Sequence, residues 1–162
     1  TVYVIEAEQG EKEVDLYYTE DGTLIKVVDD SINDNNNFQP VTIPQAITDA
    51  INEMYVGATI VEFDQEKTGI EVDILHNGIY KDVYFNSNNE WVSTEWDITE
   101  DKVPAIVMDA LKTSEYKNYR IDDIDQIEKP AGTFYLFELE QGDNDVEVTI
   151  SAEGKIENVR KD

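Results

Sequence analysis

Residues 103–162 read VPAIVMDALKTSEYKNYRIDDIDQIEKPAGTFYLFELEQGDNDVEVTISAEGKIENVRKD. Apolar residues at positions 103, 106, 107, 110 and 111 recur with the spacing of one helix face, and Pro104 falls in the first turn, where its missing N–H is tolerated. Four strand-like runs then follow, separated by turn residues, at 121–127, 133–140, 145–151 and 155–159. The stretch predicts one helix followed by four antiparallel strands.

Residues 43–98 have the same order. An apolar stripe begins at Ile43-Pro44 and predicts a helix with Thr42 as its N-cap, Pro44 in its first turn and Gly57 at its end. Strands are predicted at 59–63, 69–75, 79–86 and 90–98, with a turn at Asn77-Gly78. When the two stretches are aligned, the offset grows only from sixty to sixty-five residues. The insertions therefore fall in loops.

The first thirty residues match the last unit at a constant offset of 132, with Tyr3 on Tyr135 and Gly22 on Gly154. We expect Thr1 to lie inside a unit whose helix and first strand are missing. The repeat predicts an α+β fold of tandem α-β-β-β-β units, with antiparallel meander sheets and one helix per unit packed on one face. The predicted bounds are 1–38 for the three-stranded part of the first unit plus a linker, 39–98 for the second unit and 99–162 for the third.

An acidic and amide-rich stretch, residues 29–37, reads DDSINDNNN. Such residues favour turns, and their oxygens could serve calcium. The EF-hand spacing fails, however, because counting from Asp29 places Asp34 at the glycine position and Pro40 at the bidentate glutamate position. The stretch is therefore predicted to be a linker.

The charge of the chain limits its partners. Asp and Glu number 37 against 12 Lys and Arg, which gives a formal net charge of -25. This field repels nucleic acid and anionic membranes, and no Lys/Arg cluster opposes it locally. No apolar run reaches the roughly 20 residues of a membrane-spanning helix, so this segment is not expected to insert into a membrane. A basic face of another protein, or diffusely held cations, is the better match.

The residue inventory argues against catalysis. Cysteine is absent, His76 is the only histidine, and the eight glycines are single and scattered at turns. Thiolate chemistry, His-rich zinc sites and phosphate loops are thereby excluded. A carboxylate pair in a cleft would be the remaining enzymatic possibility, but so many acids give it no signal. We predict no catalytic residue, no metal site and no cofactor.

Strand alternation defines a candidate binding face. If Tyr3 and Ile5 face the helices, their neighbours face away from them. The outward positions predicted to bind another protein are Val4, Glu6, Asp15, Tyr17, Asp73, Tyr84, Leu136 and Glu138, and further outward positions are Glu71, Asp82, Glu147 and Thr149. Tyrosines among carboxylates are typical of a protein-binding patch, although ordinary cross-strand pairs are the alternative. Trp96 is placed with this face and Trp91 in the core.

The order and repetition of these elements resemble the beta-lactamase-inhibitor-like, PepSY-like domains. One departure is Asn88-Asn89, which stands where the other units have Asp21-Gly22 and Glu153-Gly154. The resemblance implies a bacterial periplasmic, secreted or surface-lipoprotein module that lacks catalytic activity and binds or restrains another protein. The leading hypothesis is a non-enzymatic protein-binding module, inhibitor-like toward an envelope or exported hydrolase. The alternative is a structural or cation-buffering acidic surface protein.

Overall fold

The computed structural model describes residues 2–9, 12–19, 22, 24–29, 43–65, 67–142 and 144–161. The predicted linker beyond Asp29 and the predicted N-cap Thr42 lie outside these residues. The strands and helices are β1 (Val2–Gln9), β2 (Lys12–Thr19), β3 (Leu24–Asp29), α1 (Gln45–Met54), β4 (Thr59–Gln65), β5 (Gly69–His76), β6 (Ile79–Asn86), β7 (Trp91–Asp97), α2 (Ala105–Thr113), β8 (Arg120–Lys129), β9 (Gly132–Gln141), β10 (Asn144–Ser151) and β11 (Ile156–Lys161). A 3-10 turn, Glu100–Lys102, precedes α2.

The strands form two sheets. One has three strands in the order β1-β2-β3, and the other has eight in the order β11-β10-β9-β8-β7-β6-β5-β4. The pairings described are antiparallel. With two helices added, the fold class is α+β, which confirms that prediction. Neither described helix combines the length and apolarity that a bilayer crossing demands.

The chain divides into two compact units. The first unit comprises residues 1–80 and 84–91, and the second comprises residues 81–83 and 92–162. In the second unit, the buried side of α2 packs on alternate residues of β9 and β10. The members of this core include Val107, Met108, Leu111, Tyr135, Phe137, Leu139, Val146, Val148 and Ile150.

Both helices begin after a proline. Pro44 and Pro104 are the N-cap residues, with ψ of 136° and 141°, so they precede the first turn and the prediction that they lie within it was wrong. The carbonyl of Pro104 accepts the N–H groups of Val107 and Met108 at 3.0 and 3.1 Å. A proline can occupy this position because a cap residue contributes its carbonyl to the helix and not its N–H.

The helices also end earlier than predicted. The first stops at Met54, with Tyr55 as its C-cap, and the second stops at Thr113, three residues before Tyr116. At the second end, the Ser114 hydroxyl donates a hydrogen bond to the carbonyl of Leu111 at 2.7 Å. The same carbonyl also accepts the backbone N–H of Ser114 at 3.1 Å, so Ser114 contributes two hydrogen bonds at the end of this helix.

Two meanders share one register. At the offset of 132, the pair Tyr3↔Tyr18 corresponds to Tyr135↔Ile150, and the remaining pairs of β1–β2 correspond likewise to those of β9–β10. The irregularity between Tyr17 and Tyr18 in the β2–β3 pairing recurs between Thr149 and Ile150 in the β10–β11 pairing. A bulge changes twist and face assignment, so its recurrence is a specific likeness between the two meanders.

Candidate protein-binding face

The strand register defines what we call the open face of the second unit, the face opposite to buried Tyr135 and Phe137. Residues directly opposite each other in antiparallel strands share a face. One row runs Asp97↔Asp125↔Leu136↔Thr149, and the next runs Asp123↔Glu138↔Glu147. Other members of the open face are Asp82, Glu95, Ile127, Phe134, Glu140 and Asp145.

Carboxylates on this face stand opposite other carboxylates. In the second unit these cross-strand pairs are Asp97↔Asp125, Asp123↔Glu138, Glu138↔Glu147 and Glu140↔Asp145. In the first unit, Glu62↔Asp73 and Asp64↔Glu71 repeat the pattern across β4 and β5. Like charges directly opposite each other destabilise a sheet unless nearby cations offset the repulsion.

Three cations accompany the described carboxylates of the second unit's open face. Arg120 forms ion pairs with Asp122 and Glu140, and Arg160 pairs with Glu147. The Lys129 ammonium lies 5.8 Å from the centre of the Phe134 ring. A depression of about 230 Å³ is lined by Asp122, Glu138, Glu140, Asp145 and Glu147, together with Leu139 and Val146. The face therefore presents a surplus of negative charge to solvent.

Asp125 is the most enclosed acid of this face, with 9% of its surface exposed. Burial raises its pKa to about 7, helped by a hydrogen bond with Asp97 and by the charges of Glu95, Asp123 and Asp97. The pKa of Asp82 is also raised, first by burial and then by the charge of Asp97. Carboxylate oxygens of Asp97, Asp123 and Asp125 lie within 4.8 Å of one another.

In the first unit, two residues predicted to face outward are in contact. The Tyr84 hydroxyl donates a hydrogen bond to Glu71 Oε1 at 3.3 Å, and both side chains are half-buried. Asp73 is also half-buried and stands opposite Glu62, whereas Tyr80 is exposed. The predicted tyrosine-and-acid arrangement is thus present on β5 and β6.

The predicted residues of the smaller sheet pair with one another. Val4 stands opposite Tyr17, and Glu6 stands opposite Asp15. Val4 is exposed and Tyr17 is half-buried, while the side chains of Glu6 and Asp15 lie outside the described part of the structure. Tyr3 and Ile5, predicted to face the helices, are 50% and 52% exposed. Both faces of β1 are consequently accessible at these positions.

Trp96 does not belong to the open face, so that prediction was wrong. It stands opposite Gln126, which stands opposite buried Tyr135, and this register places it on the helix side. There its ring lies under the Lys81 ammonium, whose Nζ is 2.9 Å from the ring centre. Lys81 is only 7% exposed, and burial lowers its pKa while Glu128 opposes that shift. Trp91, predicted to be core, is half-buried.

We expect Lys81 and Trp96 to be energetically coupled. A double-mutant cycle of Lys81→Met and Trp96→Leu should give a coupling energy of about 1–2 kcal/mol, because the ring attracts an ammonium that is shielded from water. Urea denaturation of the two single variants and the double variant measures this quantity. Additive losses would show that the ring merely packs against the lysine stem.

Sequence reasoning missed the acids of β7 and β8. Glu95, Asp97, Asp123 and Asp125 come from runs that lie far apart in sequence, and the β7–β8 pairing brings them together. The signal available was the run IDDIDQIEK, residues 121–129, which is rich in acids but has its isoleucines at every third position. This spacing does not show which side of the strand is polar, because the β8–β9 register shifts between Ile121 and Asp123, and it does not show which residue lies opposite.

His76 has structural contacts. Its ring meets the ring of Tyr55 edge to face, with 5.5 Å between centres, and one ring nitrogen lies 3.2 Å from the Asn77 amide. Neither contact provides a nucleophile for the histidine to activate. The arrangement stabilises the end of β5 against the end of α1.

A family model described as "Putative beta-lactamase-inhibitor-like, PepSY-like" matches residues 1–26, 32–80 and 72–158. A crystal structure of a BLIP-like protein from Bacteroides fragilis is 28% identical, with a TM-score of 0.68 over 75% of this chain and 87% of that one. A DUF2874 family protein from Bacteroides uniformis is 24% identical, with a TM-score of 0.66 and coverage of 74% and 89%.

A third structure, described as that of "putative periplasmic proteins" from Bacteroides eggerthii, is 22% identical, with a TM-score of 0.65 over 75% of this chain and 90% of that one. The second and third structures, below 25% identity, show a likeness of fold. None of the curated proteins matches the chain.

Proposed function

The chain belongs to the beta-lactamase-inhibitor-like, PepSY-like family, and from that premise we propose that it is a non-enzymatic protein-binding module. In this proposal, the open face of the second unit holds a basic face of another protein. The observation that carries the proposal is the set of carboxylates that stand opposite carboxylates across neighbouring strands.

These like-charge pairs suit a binding role because a cationic partner removes their repulsion. Without a partner, the part of this repulsion that Arg120 and Arg160 do not offset at Glu140 and Glu147 lowers the stability of the sheet. When Lys or Arg side chains of a partner lie on the open face between the paired carboxylates, the carboxylates attract them. The loss of repulsion between the carboxylates then adds to the binding free energy. Phe134 and Leu136, both half-buried on this face, supply apolar contact at its centre.

The net charge of -25 would act before the complex forms, while the two proteins approach each other. A field of this sign steers basic proteins toward the chain and repels acidic ones. Exposed charges are screened beyond roughly 8 Å at physiological salt, so binding should weaken as salt is added. Specificity would then come from the apolar centre and from the spacing of the carboxylates.

We propose that the chain is located in the bacterial periplasm or outside the cell, either secreted or attached to the surface as a lipoprotein. The partner we propose is an envelope or exported hydrolase, which the chain would restrain in the manner of an inhibitor. The description of the B. eggerthii neighbour supports the proposed location, and the name of the B. fragilis neighbour supports the proposed inhibitor-like role.

We also propose that the chain is built from tandem units with the bounds 1–38, 39–98 and 99–162. The element order supports this division, since each helix is followed by four strands. The shared registers support it further: a bulge between Ile60 and Glu62 in the β4–β5 pairing recurs between Ile121 and Asp123 in the β8–β9 pairing.

A capture experiment tests the function. The immobilised chain is exposed to periplasmic extract, the retained protein is identified by mass spectrometry, and its Kd is measured by calorimetry. Asp123→Lys with Glu138→Lys should weaken binding by about 10–100-fold, because both changes place cations against a basic partner. The matched control, Asp109→Lys with Glu115→Lys, adds the same charge at exposed positions in and just after α2 and should leave most of the affinity.

Hydrogen exchange of the complex locates the contact. Protection on β8 to β10 supports the proposal, and protection confined to α2 contradicts it. The cation-buffering alternative makes a different prediction, namely saturable heats when calcium is titrated into the chain alone. Calorimetry without any protein partner therefore separates the two functions.

We expect Glu138→Lys to stabilise the free protein. Glu138 stands between Asp123 and Glu147, so lysine there converts two like-charge pairs into opposite-charge pairs and should raise the free energy of unfolding by about 0.5–1 kcal/mol. Urea denaturation beside Glu138→Gln, which removes repulsion without adding attraction, measures the gain. A less stable lysine variant would mean that Glu138 has a structural role that outweighs the repulsion.

A further inference from the structure

The pair Asp97 and Asp125 differs from the other like-charge pairs because one of its side chains, that of Asp125, is almost fully buried. They stand directly opposite each other on β7 and β8. Asp125 is 9% exposed, with buried Ile127 two residues along its own strand and half-buried Leu136 opposite it on β9. Asp97 is exposed. When a buried carboxyl group lies beside a second carboxyl group, ionisation of both is energetically unfavourable because of burial and the repulsion between the two charges.

The charges of Glu95 and Asp97 on β7 and of Asp123 on β8 act on Asp125. Asp82 on β6 lies near Asp97, and Glu138 on β9 stands opposite Asp123, so the charged groups that the structure describes around the pair are acidic. The nearby ammonium of Lys81 lies on the opposite side of the sheet, over the Trp96 ring. No described cation on the open face offsets this charge at Asp125, and the direction of its pKa shift agrees with the geometry.

We propose that Asp97 and Asp125 share one proton in the free protein, and that a cationic side chain of the partner replaces this proton when it docks. The pair holds the proton as an O–H group of one carboxyl that donates to the other. On docking, that O–H bond breaks, the proton passes to the solvent, and a Lys or Arg of the partner neutralises the second carboxylate. The docking step rests on the proposed function, whereas the shared proton does not.

Proton release would make binding depend on pH. If one proton leaves for each complex formed, the affinity rises as pH increases, by up to tenfold per pH unit below the titration of the pair. Above that titration the pair is already ionised, and the dependence disappears. The open face would therefore hold its partner more weakly in acidic surroundings than in neutral ones.

The shared proton is tested in the free protein by carbon-detected NMR of the aspartate carboxyls between pH 3 and 9. We expect one titration of the pair near neutrality in the natural chain. In Asp97→Asn, the Asp125 titration should move down by at least one pH unit, because one of the two charges is gone. Asp109→Asn, on α2, should leave the pair unchanged. Titration of both carboxyls below pH 5 in the natural chain would overturn the proposal.

The docking step is tested with hexalysine as a cationic probe. Calorimetry at pH 6 in two buffers of different ionisation enthalpy gives the number of protons released. The natural chain should release close to one, and Asp125→Asn should release close to none. Equal release from both would overturn the replacement of the proton. Failure of hexalysine to bind at all would count against the proposed function, while the carboxyl titration would still decide the shared proton by itself.

Discussion

Replacing Phe137 by alanine is expected to lower the free energy of unfolding by about 3–5 kcal/mol. Its side chain is fully buried in the core between α2 and the sheet, where Val107, Leu111 and Val148 are also buried. Truncation removes the ring from apolar surroundings and leaves a cavity that a strand held on both sides cannot close. Urea denaturation monitored by circular dichroism measures the loss.

Leu136 provides the matched control. It is the preceding residue on β9, but it points to the open face and is half-buried. Alanine there should cost about 1 kcal/mol or less, and its main effect should be on partner binding. Equal losses of stability from Phe137→Ala and Leu136→Ala would show that the open face is covered as fully as the core. The assignment of the two faces would then be wrong.

The second large effect concerns Asp125→Asn, which should stabilise the protein by about 2–3 kcal/mol at pH 8, after the full linkage value of about 4 kcal/mol is reduced for solvent screening, and hardly at all near pH 4. The pKa of Asp125 is raised to about 7 in the folded chain, against about 3.9 when unfolded. Between these values the folded state binds one more proton than the unfolded state. The free energy of unfolding therefore falls as pH rises through this range, by up to about 1.4 kcal/mol per pH unit.

Asparagine removes this dependence because it keeps a donor toward Asp97 and cannot ionise. Urea denaturation of the natural chain and the variant from pH 4.5 to 8 gives the difference directly. Asp109→Asn, at an exposed position of α2, should show a difference that does not vary with pH. A constant difference for Asp125→Asn as well would mean that the Asp125 carboxyl ionises as readily when folded as when unfolded.

Much of the fold follows from local patterns. The two Pro-led stripes predicted both helices, and the turn at Asn77-Gly78 was predicted because these residues tolerate positive φ, which are 54° and 79° here. The eight strands of the larger sheet lie within a few residues of the predicted runs. These features depend on residues close together in sequence, whose preferences add up within one element.

The helix ends and the faces were harder to predict. A proline can occupy either the first turn of a helix or its N-cap, and only the dihedral angles show that Pro44 and Pro104 are N-cap residues. Trp96 was assigned to the wrong face because alternation within β7 does not reveal how β7 meets β8. Lys81 was overlooked because lysine side chains are usually exposed, whereas here Lys81 is buried with its ammonium over the Trp96 ring.

The candidate site depended most on long-range pairing. Asp97 and Asp125 are 28 residues apart, and each taken singly is one of 37 acids in the chain. Their significance comes from the register that makes them opposite neighbours and from the enclosure of one of them. Sequence composition predicted an acidic binding surface, but it could not identify the two acids whose environments differ.

The smaller sheet begins with β1, an outer strand whose Tyr3, Val4 and Ile5 are about half exposed. The unpaired backbone N–H and C=O groups of such an edge strand can form hydrogen bonds with a strand of another chain. The excess of acids keeps two copies apart at low ionic strength, and added electrolyte weakens that protection. Added salt should therefore have two opposite effects: it weakens binding to a basic partner, and it favours association of two copies through their β1 edge strands.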